Sequence, residues 1–297
     1  MKKNLLYMAM AISFAAVMTA CGSDSDDTPN TPPIAPEPLE AQAMDMTVLD
    51  DNSVSLAHIF LTKPGKTFYS DLSKLPTRAS GSSEFSEGSY SFNNGTYQLK
   101  DNLGNPICAF IITAPDMADF TFPNKETIKR KVRIAPMKYT DAKSNTLCHN
   151  WKIAAARLRH YDGVTAVKQF DNPAEAASLN AILNYAKTKA SIDETFEEGM
   201  TVKNIVFTPS GKFIIFFGNN KSFSGDWSWT STADGKLKYS WDNYETMHNE
   251  FEDGTAVFDV RAYKKTNYFA LTFGSTIKPK NGNSYKIELT FYLEQSL

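Results

Sequence analysis

Residues 222–241 read SFSGDWSWTSTADGKLKYSW. Phe223, Trp227 and Trp229 share one face of an extended segment with Gly225, and Ser224, Asp226, Ser228 and Thr230 share the other. Beyond Asp234-Gly235 the alternation resumes, with Leu237, Tyr239 and Trp241 set against Lys236, Lys238 and Ser240. A period of two interrupted by a turn dipeptide marks a pair of antiparallel strands, each buried on one face. The aromatics therefore point inward, and the fold is all-β, mainly antiparallel.

The same pattern extends in both directions. Asn94-Gly95 separates Ser89-Tyr90-Ser91-Phe92 from Thr96-Tyr97-Gln98-Leu99, and Asn-Gly supplies the two positive φ angles of a type I′ hairpin. Ser210-Gly211, Asp253-Gly254 and Asn281-Gly282 are further turns, and Tyr285, Ile287, Leu289, Phe291 and Leu293 form the inner face of a final strand. One segment departs from this period. Residues 172–190 open with Asn172-Pro173 and Glu175, then place Ala176, Leu179, Ile182, Leu183 and Ala186 along one stripe. That is a capped amphipathic helix packed on the sheet.

A polar stretch, 140–146, divides the body into an N-terminal β domain (44–140) of short strands and a C-terminal domain (145–297). The second half holds predicted strands at 147–160, 202–208, 212–217, 222–230, 236–240, 256–263, 268–274 and 284–294. Strands in hairpin order predict an up-and-down barrel with one inserted helix.

Residues 1–20 carry Lys2 and Lys3, an apolar run from Leu5 to Val17, and small residues before Cys21, which is the layout of a signal peptide. The run is shorter than a membrane span needs and breaks into Gly22, Ser23 and Asp24. Residues 21–43 form a tether rich in proline, with Pro29, Pro32, Pro33, Pro36 and Pro38. In polyproline conformation its proline-rich part reaches roughly 40 Å. Losing Lys2 and Lys3 moves the formal charge from −2 to −4, which excludes a strong nucleic-acid footprint.

Beyond Cys21 only Cys108 and Cys148 remain. In an oxidising compartment they either pair, closing a loop worth roughly 4 kcal/mol, or stay as two buried thiols.

Catalytic motifs are not found: there is no GxSxG, HExxH, Walker loop or dinucleotide fingerprint, and no Cys/His spacing for zinc. His58, His149, His160 and His248 are not spaced as metal pairs. The acids Asp193, Glu194, Glu197 and Glu198, and likewise Glu250, Glu252 and Asp253, read either as solvated loop acids or as a calcium or carboxylate-pair site. Lys129, Lys131 and Arg133 form a cationic row on one strand face. They either meet anionic surfaces or protect a sheet edge from aggregation.

The inward set Trp227, Trp229, Tyr239, Trp241 and Phe213 either fills a core or lines a ligand pocket, as small barrels allow both. Trp151 with Arg157, Arg159 or Arg261 is a candidate cation-π closure of the barrel end.

Met18-Thr19-Ala20-Cys21 resembles a lipobox, which implies lipidation of Cys21 and anchoring to the bilayer through N-terminal acyl chains. Ser23-Asp24-Ser25-Asp26-Asp27 resembles the export signal of surface lipoproteins in the Bacteroidetes; read simply, it is a solvated spacer. Asn150-Trp151-Lys152, followed by the hairpin Phe207-Thr208-Pro209-Ser210-Gly211-Lys212-Phe213, resembles the lipocalin-like (calycin-type) domains of Bacteroidetes lipoproteins over about residues 145–297. His149 stands two places before Trp151, where lipocalins carry glycine.

The anchor, the tether, the inward aromatics and the missing catalytic motifs together lead to the expectation of an outer-membrane protein facing the cell surface, with a barrel that binds without catalysing and needs no cofactor. The leading expectation is a small apolar ligand or a glycan. The alternatives are a structural or adhesive component that docks an envelope protein, and a carboxylate-dependent hydrolase.

Overall fold

The computed structural model describes residues 44–62, 65–70, 85–124, 126–162, 164–187, 196–219, 221–241, 253–277 and 285–296. The signal peptide, Cys21, the tether and the Asn281-Gly282 turn lie outside these residues.

The first half contains β1 (Met44–Leu49), β2 (Ser55–Thr62), β3 (Lys66–Ser70), β4 (Phe85–Asn93), β5 (Thr96–Asp101), β6 (Pro106–Ala114), β7 (Met117–Thr121) and β8 (Thr127–Ala135). Each strand pairs antiparallel with the next, and β8 returns to β1 with Val132 opposite Val48, so the sheet closes into a barrel. Alternate residues make the core: Met46, Val48, Ile59, Leu61, Leu99, Phe110, Phe120 and Val132 are buried together. The β4–β5 turn has the expected chemistry, with Asn94 at φ 49 and Gly95 at φ 80. Because β8 is paired on both sides, Lys129, Lys131 and Arg133 do not guard an edge. They stand exposed on the outer wall, with Lys129 4.0 Å from Asp119.

The second half contains α1 (Ala142–Leu147), β9 (Asn150–Asp162), β10 (Val164–Phe170), α2 (Pro173–Ala177), α3 (Leu179–Lys187), β11 (Val202–Phe207), β12 (Lys212–Phe217), β13 (Ser222–Ser231), β14 (Lys236–Trp241), β15 (Gly254–Tyr263), β16 (Thr266–Ile277) and β17 (Tyr285–Gln295). β9 and β11 through β17 form a second closed eight-stranded meander, sealed where β17 pairs with β9. β10 is an additional strand hydrogen-bonded to β9.

Two glycines let walls and rings approach. At Gly225 a Cβ would sit 2.0 Å from Ser240 O and 2.7 Å from the Phe213 ring. At Gly235, φ 66, a Cβ would meet Phe258 O at 2.0 Å.

Besides β10, two segments differ from the sequence reading. The 172–190 helix is two helices, because Ser178 takes an extended conformation (φ −81, ψ 110) and forms an antiparallel bridge with Thr201. Its start is as expected: Asn172 Oδ1 accepts from Ala174 N at 2.9 Å, with Pro173 in the first turn. Within the polar stretch 140–146 lies α1, capped by Asp141, whose Oδ1 accepts from the Lys143 and Ser144 amides at 3.0 Å each. Cys108 and Cys148, for which both a bridge and two thiols were open, are not bridged. Both thiols are free, Cys108 in the first core and Cys148 in the second, and burial pushes the Cys108 thiol up to about 12.

The outer walls of the barrels pack together. Phe60 points outward between the inward Ile59 and Leu61, and it is buried with the outward Val206, Ile214 and Phe216. Full burial of such side chains contributes about 1.5–3 kcal/mol each. At its border Asp45, 2% exposed, accepts from Ser210 Oγ and, at 3.3 Å, from Thr208 Oγ1. The Lys138 and Tyr139 amides donate to Pro209 O at 2.8 and 2.9 Å, which ties the connecting segment to the same loop.

Candidate functional site

The interior of the second barrel is sealed at the end where β9 begins. Trp151 is 1% exposed, donates Nε1–H to Leu147 O at 2.8 Å, and packs on Phe258 and Phe269 at 6.1 and 5.4 Å between centroids. Arg157, one of the arginines considered for this closure, lies over Tyr263 and Tyr292, 5.6 and 5.7 Å from their centroids. Those tyrosines alternate with inward residues of β15 and β17, which puts them on the outer wall. Arg261 reaches Asp259 at 2.9 Å and Glu288 at 3.5 Å, and Arg159 reaches Glu288 at 3.7 Å.

Beside this plug His149 is 4% exposed and meets Trp151 edge-on at 6.3 Å. Burial depresses its pKa to about 4, against a smaller opposing effect of a hydrogen bond with the Asn145 backbone. Its Nε2 has no hydrogen-bond partner among the described residues.

Inside the same barrel lies an apolar cavity of about 20 Å³, bounded by Ile205, Phe213, Tyr239, Trp241, Leu271 and Phe273 among others. Its rings meet edge to face: Phe213 with Trp241 at 4.9 Å and 71°, Tyr239 with Trp241 at 6.1 Å and 78°, and Tyr239 with Phe273 at 6.0 Å and 78°. Such contacts are worth about 0.5–1.5 kcal/mol each beyond area burial. The volume is close to that of a single water site, and a void lined only by apolar atoms stays dry.

Three of the five residues singled out in the sequence, Phe213, Tyr239 and Trp241, bound this cavity. Trp227 and Trp229 sit deeper, toward the sealed end. Trp227 stacks on Tyr139 at 4.5 Å and donates Nε1–H to Thr208 O at 3.1 Å. Trp229 donates to Ser144 Oγ at 2.7 Å, bracing α1. Their alternation fixed their face but said nothing of their depth along the barrel. Phe207, Ile215, Leu271 and Phe273 were not singled out. Period two would have placed Leu271 and Phe273 inward, but β11 and β12 are apolar on both faces, so Phe207 and Ile215 carried no such signal.

The remaining candidates do not converge. Glu197 is paired with Lys221, and Asp253 Oδ1 accepts from Trp241 N at 3.0 Å. Asp193, Glu194, Glu250, Glu252, His248 and the His160 side chain lie outside the described residues. His58 has Thr47 Oγ1 and Ser55 Oγ at 3.3 Å from its two ring nitrogens. Among the described residues no three His, Cys, Asp or Glu side chains are grouped to hold a metal ion.

No known family model matches this chain, and no curated protein sequence matches it.

Proposed function

We propose that this chain is a lipid-anchored, lipocalin-like protein of the outer membrane that binds without catalysing, and that its second barrel takes a slender apolar ligand. The anchor and surface location rest on the lipobox-like Met18-Thr19-Ala20-Cys21 and the acidic Ser23-Asp24-Ser25-Asp26-Asp27. The observation that carries the ligand reading is the wholly apolar cavity inside the ring of Phe213, Tyr239 and Trp241. A glycan would need hydrogen-bond partners there, and the lining offers none. At about 20 Å³ the cavity belongs to a closed form. Ligand pockets run to several hundred Å³, so occupancy requires the barrel to widen.

The test is a titration of the chain from Ala41 onward with palmitate below its micelle concentration, read by tryptophan emission. A saturable change is expected, and it should be lost in Ala256→Val, which fills the cavity. A flat response in the unsubstituted chain overturns the reading.

A second reading, docking of an envelope partner, is favoured by the end of the first barrel that carries the β1–β2 and β5–β6 turns. There Val54 and Leu103 are 59% and 87% exposed. Each is held by an aspartate-closed turn: Asp50 Oδ1 accepts from Asn52 N and Val54 N, and Asp101 Oδ1 from Leu103 N and Asn105 N, at 2.7–2.9 Å. Rigidly presented apolar tips suit insertion into a partner's pockets at low entropic cost. Val54→Ser with Leu103→Ser should then abolish capture of an envelope protein by the anchored chain, while palmitate binding is unchanged.

A further inference from the structure

One seam of the second barrel is not a full ladder. β9 pairs with β17 along nearly its whole length. On its other edge it meets β11 only at Asn150–Val206 and Trp151–Ile205, with one further bond from Phe207 N to His149 O at 3.1 Å. From Ala156 onward that edge belongs to β10, which has no pairing with β11 among the described residues.

The helix pair fills the wedge between β9 and β11. α2 packs against β9. Ala176, Ala177, Leu179, Ile182, Leu183 and Ala186 are buried in the same core as Ile153, Val202 and Ile205. Directional contacts hold the pair at two places. Before α2, Asp171 accepts from Tyr263 Oη and from Lys264 Nζ, the latter at 3.0 Å. At the α2–α3 junction, Ser178 bridges Thr201, Leu179 N donates to Met200 O at 3.1 Å, and Asn180 clasps the chain before β11. Asn180 Oδ1 accepts from Phe196 N at 2.8 Å, and its Nδ2 donates to Phe196 O and Glu197 O at 3.1 and 3.3 Å.

Parting strands at a ladder orphans a row of N–H and C=O groups, each costly when buried. Lifting a helix from the wedge leaves its internal hydrogen bonds intact and breaks only the few at the Ser178–Asn180 junction; the rest of what it exposes is side chain. Those side chains are apolar, and apolar contact is non-directional. A chain of methylenes can therefore take their place. Ile205 belongs both to this seam and to the cavity wall, so the slot vacated by the helices runs into the cavity.

We propose that α2–α3 is a lateral door, latched at Ser178, Leu179 and Asn180, through which an unbranched acyl chain enters between β9 and β11. This rests on reading the second barrel as a ligand holder, and the test separates the two. Every strand of the two barrels among the described residues lies between Met44 and Gln295, and the chain from Ala41 onward contains them all.

In that chain Ser178→Cys with Thr201→Cys places thiols on antiparallel bridge partners, where Cα separations suit a disulfide. Palmitate association is followed by stopped-flow tryptophan emission. The oxidised variant should associate about tenfold or more slowly and recover on reduction, and Asn180→Ala, which removes all three side-chain hydrogen bonds of the latch, should associate about tenfold or more faster. Equal rates in the oxidised and reduced forms overturn the door.

If palmitate does not bind, hydrogen exchange decides the door alone. Amides of α3 that exchange about tenfold or more faster than those of β9 and β17, with the difference removed by the disulfide, support it. Equal protection of helix and strands overturns it.

Discussion

Lowering the pH from 7 to 4 should destabilise the second barrel through one side chain. His149 is neutral in the folded protein, with its pKa depressed by burial to about 4 from an ordinary 6.5. Above pH 6.5 neither folded nor unfolded chain protonates it, and it contributes no pH dependence. Between 6.5 and 4 the unfolded chain binds a proton that the folded barrel does not, so stability falls as pH falls. At 1.36 kcal/mol per pKa unit, the loss approaches about 3 kcal/mol at pH 4. Carboxylates titrate over part of this range, so the assay is a difference: urea denaturation of the native chain and of His149→Gln at pH 7, 6, 5 and 4. The gap between the two should change by about 3 kcal/mol in favour of the variant across the series. Parallel pH dependences in the two proteins would refute a neutral, buried His149.

Gly225→Ala should cost about 1–3 kcal/mol in urea unfolding, since its Cβ would press on Phe213 and Ser240 O; an unchanged midpoint would mean that the wall yields there. Ser210→Ala removes a donor from the buried Asp45 and should lower stability by about 1–3 kcal/mol. Calorimetry should then show the two barrels melting apart, whereas a single unshifted transition counts against a tight joint. Both Cys108 and Cys148 should resist iodoacetamide in the native protein and react on unfolding, which mass spectrometry reads directly. Labelling at the rate of a free thiol, or an oxidised Cys108–Cys148 peptide, contradicts this. Trp151→Phe should cost about 1–3 kcal/mol by leaving Leu147 O without its indole donor; a variant as stable as the native chain removes Trp151 as the plug.

The strands were legible where one face is apolar and the other polar, as in β13, β14 and β17, because side-chain period alone decides them. β10 was missed because it follows β9 after a single residue, and its Val167, Lys168 and Gln169 are all exposed. α1 was missed for want of an apolar stripe: it buries only Ser144 and Leu147, and its stability comes from the Asp141 cap and Trp229. Closure of the first barrel depends on β1 meeting β8 more than 80 residues later, a relation that local pattern does not contain. The choice between a bridge and two thiols at Cys108 and Cys148 falls in the same gap, since nothing near either residue says that they belong to different cores. The break at Ser178 was hidden because the apolar stripe runs on through it, while Thr201 supplies the competing bridge from afar.

In a crystal of the chain grown with 12-bromododecanoate, the anomalous signal of the bromine locates the bound acyl chain. A ligand-holding barrel puts the peak inside the second barrel, within van der Waals reach of Phe213, Tyr239 or Trp241, with that barrel's interior enlarged. A bromine found only on the outer walls, or none at all around a barrel still filled by its own side chains, would contradict a ligand-holding barrel.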